Sequence, residues 1–303
     1  MLTDEKPKKK RKVNWREYNE SLVRRGEVMF DTDYLENWRA ELKAMNRGKQ
    51  GARCRYPSSL IWLLATVHAY LLPYRQLEGF LNVMSKHIDR LKVPDYTTMQ
   101  WRVARVKVQL NPEVDPERNV VIAVDSTGIK VTNRGEWIRD KWNKQKKRGF
   151  IKIHVAVDVK TKKILSMKVT KEDVSDGRML KPLVRTAPCA IDKVLADGAY
   201  DSKDNFRFLD RMGIEPVIKV RKNASVLHAH GCMPRKVVVV EQLQDVKRWK
   251  RRHGYGMRWM AESAFSSMKR TFGEYVRSVR WKNIVNELLL KASVYNTFVG
   301  MAA

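Results

Sequence analysis

Val120-Val121-Ile122-Ala123-Val124 is an unbroken apolar run that ends on a carboxylate, Asp125. A strand apolar at every position must be covered on both faces, so the chain needs a sheet with helices packed on either side. Carboxylates are rare in such runs, and one at the carboxyl end of a strand stands where clefts open in α/β sheets. A second instance follows at Lys193-Val194-Leu195-Ala196, which leads into Asp197 within VLADGAYDS. Each aspartate also has a plainer reading. Asp125-Ser126-Thr127-Gly128 suits a cap or a turn, and beside Asp197 it is Asp201 that can cap the next helix.

The pattern around these runs is mixed. Ile151, Ile153, Val155 and Val157 alternate, Asp158–Lys162 turns, and Ile164–Thr170 alternates again, which predicts a hairpin. Helices are expected over Gly177–Val184 and Ser202–Met212, the second ended by Gly213, and a strand over Ile214–Val220. Asn283–Phe298 reads as a last amphipathic helix. Upstream the periodicity is helical. An amphipathic stretch covers Tyr34–Met45. A helix opens at Pro57-Ser58-Ser59, with Ser able to cap, and runs to Leu72 before Pro73; another covers Arg75–Met84. A third is expected from Tyr96 to about Lys107, with Met99, Val103 and Val106 inward and Gln100, Arg102 and Arg105 outward. This helix could enter a DNA major groove with Arg102 and Arg105 in contact, or else belong to a plain helical bundle. The expected division is a basic arm at 1–30, a helix-turn-helix-like helical domain at 31–115, and an α/β domain at 116–303. A small β-rich insertion remains open near 221–245, around Pro234–Val240.

Charge narrows the partner. Sixty-one Lys and Arg against 33 Asp and Glu give +28, a field that attracts polyanions, nucleic acid first among them. Two basic runs carry a tryptophan: Lys141–Arg148, with Lys146, Lys147 and Arg148 at its end, and Lys247–His253, with Lys250, Arg251 and Arg252. Cations meet phosphates while aromatics stack, so both read as DNA-contacting surface rather than solvated loops. Pro7–Val13, PKKKRKV, reads first as a further DNA-contacting arm and alternatively as a nuclear localisation signal. The expected location is the nucleoid-associated cytoplasm of a prokaryote, or the nucleus if that segment is an address. The longest apolar stretch, Leu60–Leu72, is too short to span a bilayer, so no membrane is expected. Three scattered cysteines exclude a disulfide scaffold, and His228, His230 and Cys232 lack zinc-finger spacing.

Tyr255, Arg258, Glu262 and Lys269 form Tyr-x2-Arg-x3-Glu-x6-Lys. On one uniform α-helix they fall at about 0°, 300°, 340° and 320°, a single polar stripe with one carboxylate. Ala261, Ala264, Phe265 and Met268 supply the apolar side. Trp259 falls at about 40°, off the stripe, and reads as core before it reads as a base-stacking residue. A surface helix with an Arg258–Glu262 pair is the plain alternative.

This signature resembles the one that defines the DDE transposases of the insertion-sequence four and five superfamily, closest to the insertion-sequence five type. The resemblance extends over roughly residues 15–300 and implies an RNase H-like catalytic domain in which Asp125, Asp197 and Glu262 are the catalytic, metal-holding acids. The 65 residues from 197 to 262 are too few for the large inserted domain some relatives carry there. Oxygen-only ligands suit Mg²⁺ or Mn²⁺, and two ions are expected to serve phosphodiester cleavage and strand transfer. Tyr255, Arg258 and Lys269 are implied to hold the transposon end. The resemblance also implies double-stranded DNA partners, both element ends and target, and action as a homodimer. Cutting without joining, or a domesticated DNA-binding protein, are the alternatives. His154 reads as structural.

Overall fold

The structure is a computed structural model that describes residues 14–28, 33–89, 91–108, 118–131 and 150–301, with 110, 112, 114 and 115 between them. Pro7–Val13 and the run Lys141–Arg148, including Lys146, Lys147 and Arg148, lie outside the described residues.

Five helices come first: α1 (Trp15–Glu27), α2 (Asp33–Asn46), α3 (Ser58–Tyr70), α4 (Tyr74–Met84) and α5 (Tyr96–Val103). The serines at the start of α3 do not cap it. Glu41 of α2 accepts from the Ser58 and Ser59 amides at 2.6 and 3.0 Å instead, so the cap arrives from another helix. At α5 the cap is local: Asp95 accepts from the Thr97 and Thr98 amides. That helix stops at Val103 rather than near Lys107, with Met99 and Val103 buried.

Helix α3 is apolar all round because it is covered on two sides. Leu60, Leu64 and Val67 join Leu77, Leu81 and Met99 in a helical core. Ile61, Ala65 and Ala69 meet Val103 and Leu290, which ties the N-terminal helices to the C-terminal one.

The remaining described chain forms β1 (Val120–Val131), β2 (Phe150–Asp158), β3 (Ile164–Lys171), α6 (Leu180–Thr186), β4 (Ile191–Ala196), α7 (Lys203–Arg211), β5 (Glu215–Ile218), α8 (Met233–Arg252), α9 (Trp259–Phe272), β6 (Tyr275–Val276) and α10 (Trp281–Gly300). The sheet order is β3-β2-β1-β4-β5, with β6 pairing β1. β1, β2 and β3 run antiparallel, whereas β4 and β5 run parallel to β1. This is a mixed RNase H-like sheet flanked by helices. Ile122 and Val124 of β1, Val155 of β2 and Val194 of β4 are fully buried in one core with Phe206, Ala261 and Leu288 from helices.

Three expectations need correction. β1 does not end at Asp125 but continues to Val131, paired along this stretch with β2. Residues 234–240 are not strand but the first turns of α8. Four successive valines at 237–240 suggest β structure, yet Arg235, Val238, Val239 and Gln242 are the buried set, a helical spacing, and Pro234 stands in the first turn. The signature is not one helix either. Tyr255–Arg258 is a 3₁₀ turn entered through Gly254 at φ 65°, and α9 begins only at Trp259.

Among the described residues no helix is long and apolar enough to cross a membrane.

Candidate active site

The parallel pair β1/β4 positions the first two acids. Its last registered pair is Ala123 opposite Leu195, and Ala196 then ends β4. The register offset is 72 residues, and the same offset carries Asp125 to Asp197. Both carboxylates therefore stand level where β1 and β4 part, at the carboxyl side of the parallel strands. Asp125 remains in β1, opposite Val155 of β2, so its backbone is fixed by the antiparallel ladder. Asp197 is held differently: its Oδ1 accepts from the Ala199 amide at 2.9 Å and caps the 3₁₀ turn Gly198–Tyr200.

Glu262 approaches from the first turn of α9. Arg258 joins it to Asp125. Nη1 donates to Asp125 Oδ2 at 3.1 Å, and Nη2 donates to Glu262 Oε1. The Asp125 side chain is 17 % exposed and that of Glu262 55 %. Burial pushes the Asp125 carboxyl above its usual range, and the charges of Asp197 and Glu262 push the same way, while the Ser126 amide and Arg258 oppose. Asp125 thus feels the negative charge of both other acids, and a cation relieves it. In this arrangement the cation is the Arg258 guanidinium. Among the described residues no three His, Cys, Asp or Glu side chains stand close enough together to share an ion. The donor chemistry nevertheless fits a hard divalent cation: carboxylate oxygens, one acid half-exposed on a helix, and two acids already sharing one positive group.

An open cleft of about 510 Å³ is lined by Asp125, Glu262, Lys269, Arg270 and Phe265. Lys269 lies two helical turns beyond Glu262 and is half-buried. Tyr255 is buried rather than on an open stripe. Its ring lies 5.2 Å from that of Trp249, and Lys250 sits 5.8 Å from its centroid. Burial raises its hydroxyl, which also feels Arg258 and Asp197, so the side chain backs the acids rather than facing solvent.

The two tryptophans exchange their expected roles. Trp259 is 51 % exposed and not core, whereas Trp249, inside the second basic run, is buried. The run lies on the last turns of α8 after a break at Asp245 (φ −157°), whose carboxylate caps it through the Lys247 and Arg248 amides. Lys250, Arg251 and Arg252 are exposed, and Arg252 pairs with Glu241 at 3.1 Å. Arg102 and Arg105 lie far along the chain on and just after α5: Arg102 donates to the Tyr56 carbonyl and Arg105 to that of Trp101. The structure brings neither into the lining of the acid cleft.

Several residues escape the sequence. Tyr200 is 1 % exposed, its hydroxyl has no partner among the described residues, and burial raises it, helped by the charges of Asp176, Asp125 and Asp197. Its place three residues after Asp197 on a tight turn is the signal that could have found it. Asp201 is buried against Arg235, which donates from Nε at 2.7 Å and Nη2 at 2.9 Å. His154 is structural, as expected. It is fully buried, with Nε2 2.8 Å from Thr170 Oγ1, and burial lowers its pKa to about 4.

A family model described as a transposase DDE domain matches residues 116–297, and a second of the same description matches residues 23–134. One solved structure, a cryo-EM structure of the piggyBac transposase synaptic complex with hairpin DNA, aligns with 92 % of this chain and 74 % of its own. The TM-score is 0.44 and the identity 11 %.

Proposed function

Because the chain belongs to the DDE transposase family, we propose that it is the transposase of a prokaryotic insertion sequence of the insertion-sequence five type. It binds the terminal inverted repeats of its element as a homodimer. It cuts phosphodiester bonds to free 3′-hydroxyl ends and joins those ends to target DNA. The observation that carries this reading is the level placement of Asp125 and Asp197 at the parting of β1 and β4, with Glu262 tied to Asp125 through Arg258.

The family generally uses divalent metal ions, and here Asp125, Asp197 and Glu262 would hold two, Mg²⁺ or Mn²⁺. Such ions, when bound, acidify an attacking water or hydroxyl and stabilise the leaving oxygen. The chain's own groups do the rest. Arg258 keeps the carboxylates apart from solvent cations until a DNA phosphate takes its guanidinium, an exchange of one oxyanion partner for another. Lys269 and Arg270, on the cleft wall, meet the flanking phosphates. Trp259 offers an open ring on which an unpaired end base stacks. Tyr255 braces Arg258 from behind. Lys250 and Arg251 carry the DNA path away from the cleft along α8.

The test is joining of an oligonucleotide bearing the element's end, with a free 3′-hydroxyl, to a supercoiled plasmid. Joined product in the presence of Mg²⁺ or Mn²⁺ is expected. Nicked or linearised plasmid with no joined product would instead favour a nuclease.

A further inference from the structure

A second groove, of about 920 Å³, lies between the outer face of α5 and the turn that enters α10. It shares no lining residue with the acid cleft. One wall carries Gln100, Trp101 and Arg105; the other carries Arg280, Lys282 and Asn283.

Trp101 is 56 % exposed, and the Arg105 guanidinium carbon lies 3.6 Å from its ring centroid. Arg105 also donates to the Trp101 carbonyl at 3.0 Å. Both contacts restrict a side chain that would otherwise lose much rotamer freedom on meeting a phosphate. Opposite, Arg280 and Lys282 are exposed and carry no ion pair among the described residues. Glu287, the acid among the lining residues, is buried, and its oxygens are spent on the Arg277 and Ser278 amides and on Lys291. The groove therefore presents net positive charge.

The two walls are also fixed to each other. Arg277 donates to the His68 and Leu71 carbonyls, and Asn286 donates to that of Val103. Ile61, Ala65, Ala69, Val103 and Leu290 form one buried cluster beneath. A rigid, open, cationic groove fits a ligand that is itself stiff and regularly charged.

We propose that this groove seats the sugar–phosphate backbone of a DNA duplex, with Arg105, Arg280 and Lys282 on successive phosphates and Gln100 and Asn283 adding hydrogen bonds. Duplex is favoured over single strand because Arg105 already covers one face of Trp101, which leaves less ring for stacking bases. The inference rests on the reading of the chain as acting on DNA. It adds that the C-terminal helix α10, part of the catalytic core, holds the same duplex as the N-terminal helices, so an end bound here is kept in register with the acid cleft.

The test is a salt titration of binding to a short mixed-sequence duplex, little longer than one helical turn, and to one of its strands alone, each followed by fluorescence anisotropy. Arg280→Gln with Lys282→Gln is compared with Lys222→Gln and Lys236→Gln, two exposed lysines outside the groove that remove the same charge. The groove pair is expected to weaken binding about tenfold and to make the slope of log affinity against log salt shallower by about two, at about 0.9 per lost phosphate contact. The remote pair is expected to change the slope little. Equal losses in the two pairs would show only the effect of net charge and overturn the proposal. So would a loss confined to single-stranded DNA. Strand joining does not enter the measurement, so failure here leaves the acid site standing.

Discussion

Two arginines hold aspartates in the α/β domain, Arg235 at Asp201 after the Gly198–Tyr200 turn and Arg258 at Asp125 on β1, and their surroundings set opposite consequences. Arg235 meets Asp201 with both side chains out of solvent, 9 % and 0 % exposed, and Asp201 also accepts from the Arg221 amide. Arg258 meets Asp125 and Glu262 at the rim of an open cleft. In the first pair every oxygen has a protein partner and no ligand can enter. In the second a partner can be exchanged. The buried pair fixes the turn that carries Asp197, while the open one holds acids ready for something else.

The largest effect should come from breaking the buried pair. Arg235→Met leaves Asp201 charged and uncompensated, and is expected to cost about 3–5 kcal/mol in urea unfolding. Unfolding at the wild-type midpoint would erase the distinction between the two arginines. Arg258→Gln should do the reverse. Strand joining is expected to fall about 100-fold, while stability changes by less than about 1 kcal/mol, because the ion pairs it loses are partly exposed.

His154 belongs on the buried side of the comparison. It lies opposite Ser126 in the β1–β2 ladder, next to the Asp125 position, and its pKa is lowered to about 4 from 6.5. Between those values the unfolded chain binds a proton that the native protein refuses. Its contribution is therefore present above pH 6.5 and lost as pH falls toward 4, on the order of 3 kcal/mol. Denaturant midpoints across that window should fall in the wild type and flatten in His154→Gln. The smallest effect is expected at Glu41→Gln, which weakens the cap supplied to α3 by about 1 kcal/mol. Joining by that variant should be unchanged.

Much of this was legible in the chain. The placement of Asp125 and Asp197 beside the parallel strands was legible because apolar runs lead into carboxylates, and the hairpin because its alternation is clean. The Glu262 signature was legible as a pattern but not as a shape. A uniform helix wheel cannot register the 3₁₀ turn at Tyr255–Arg258, so it left Tyr255 on an open stripe and Trp259 on the core side. The basic run hid a second inversion, since cations around Trp249 suggested exposure while its ring packs on Tyr255 and His253. Long-range pairings such as Asp201 with Arg235, or Glu41 with the start of α3, leave no local trace because sequence spacing says nothing about which helix lies alongside.

The central claim is that Asp125, Asp197 and Glu262 act as one unit on DNA. Joining rates for Asp125→Asn, Asp197→Asn and Glu262→Gln, each alone and all together, test it directly, with duplex binding measured alongside. Each single variant is expected to lose about a thousandfold, since an acid that holds a metal ion, as proposed for these three, is worth several kcal/mol. The triple variant should be little worse than any one of them, with DNA binding retained throughout. Wild-type joining by any single variant, or losses that multiply from one variant to the next, would contradict a shared site.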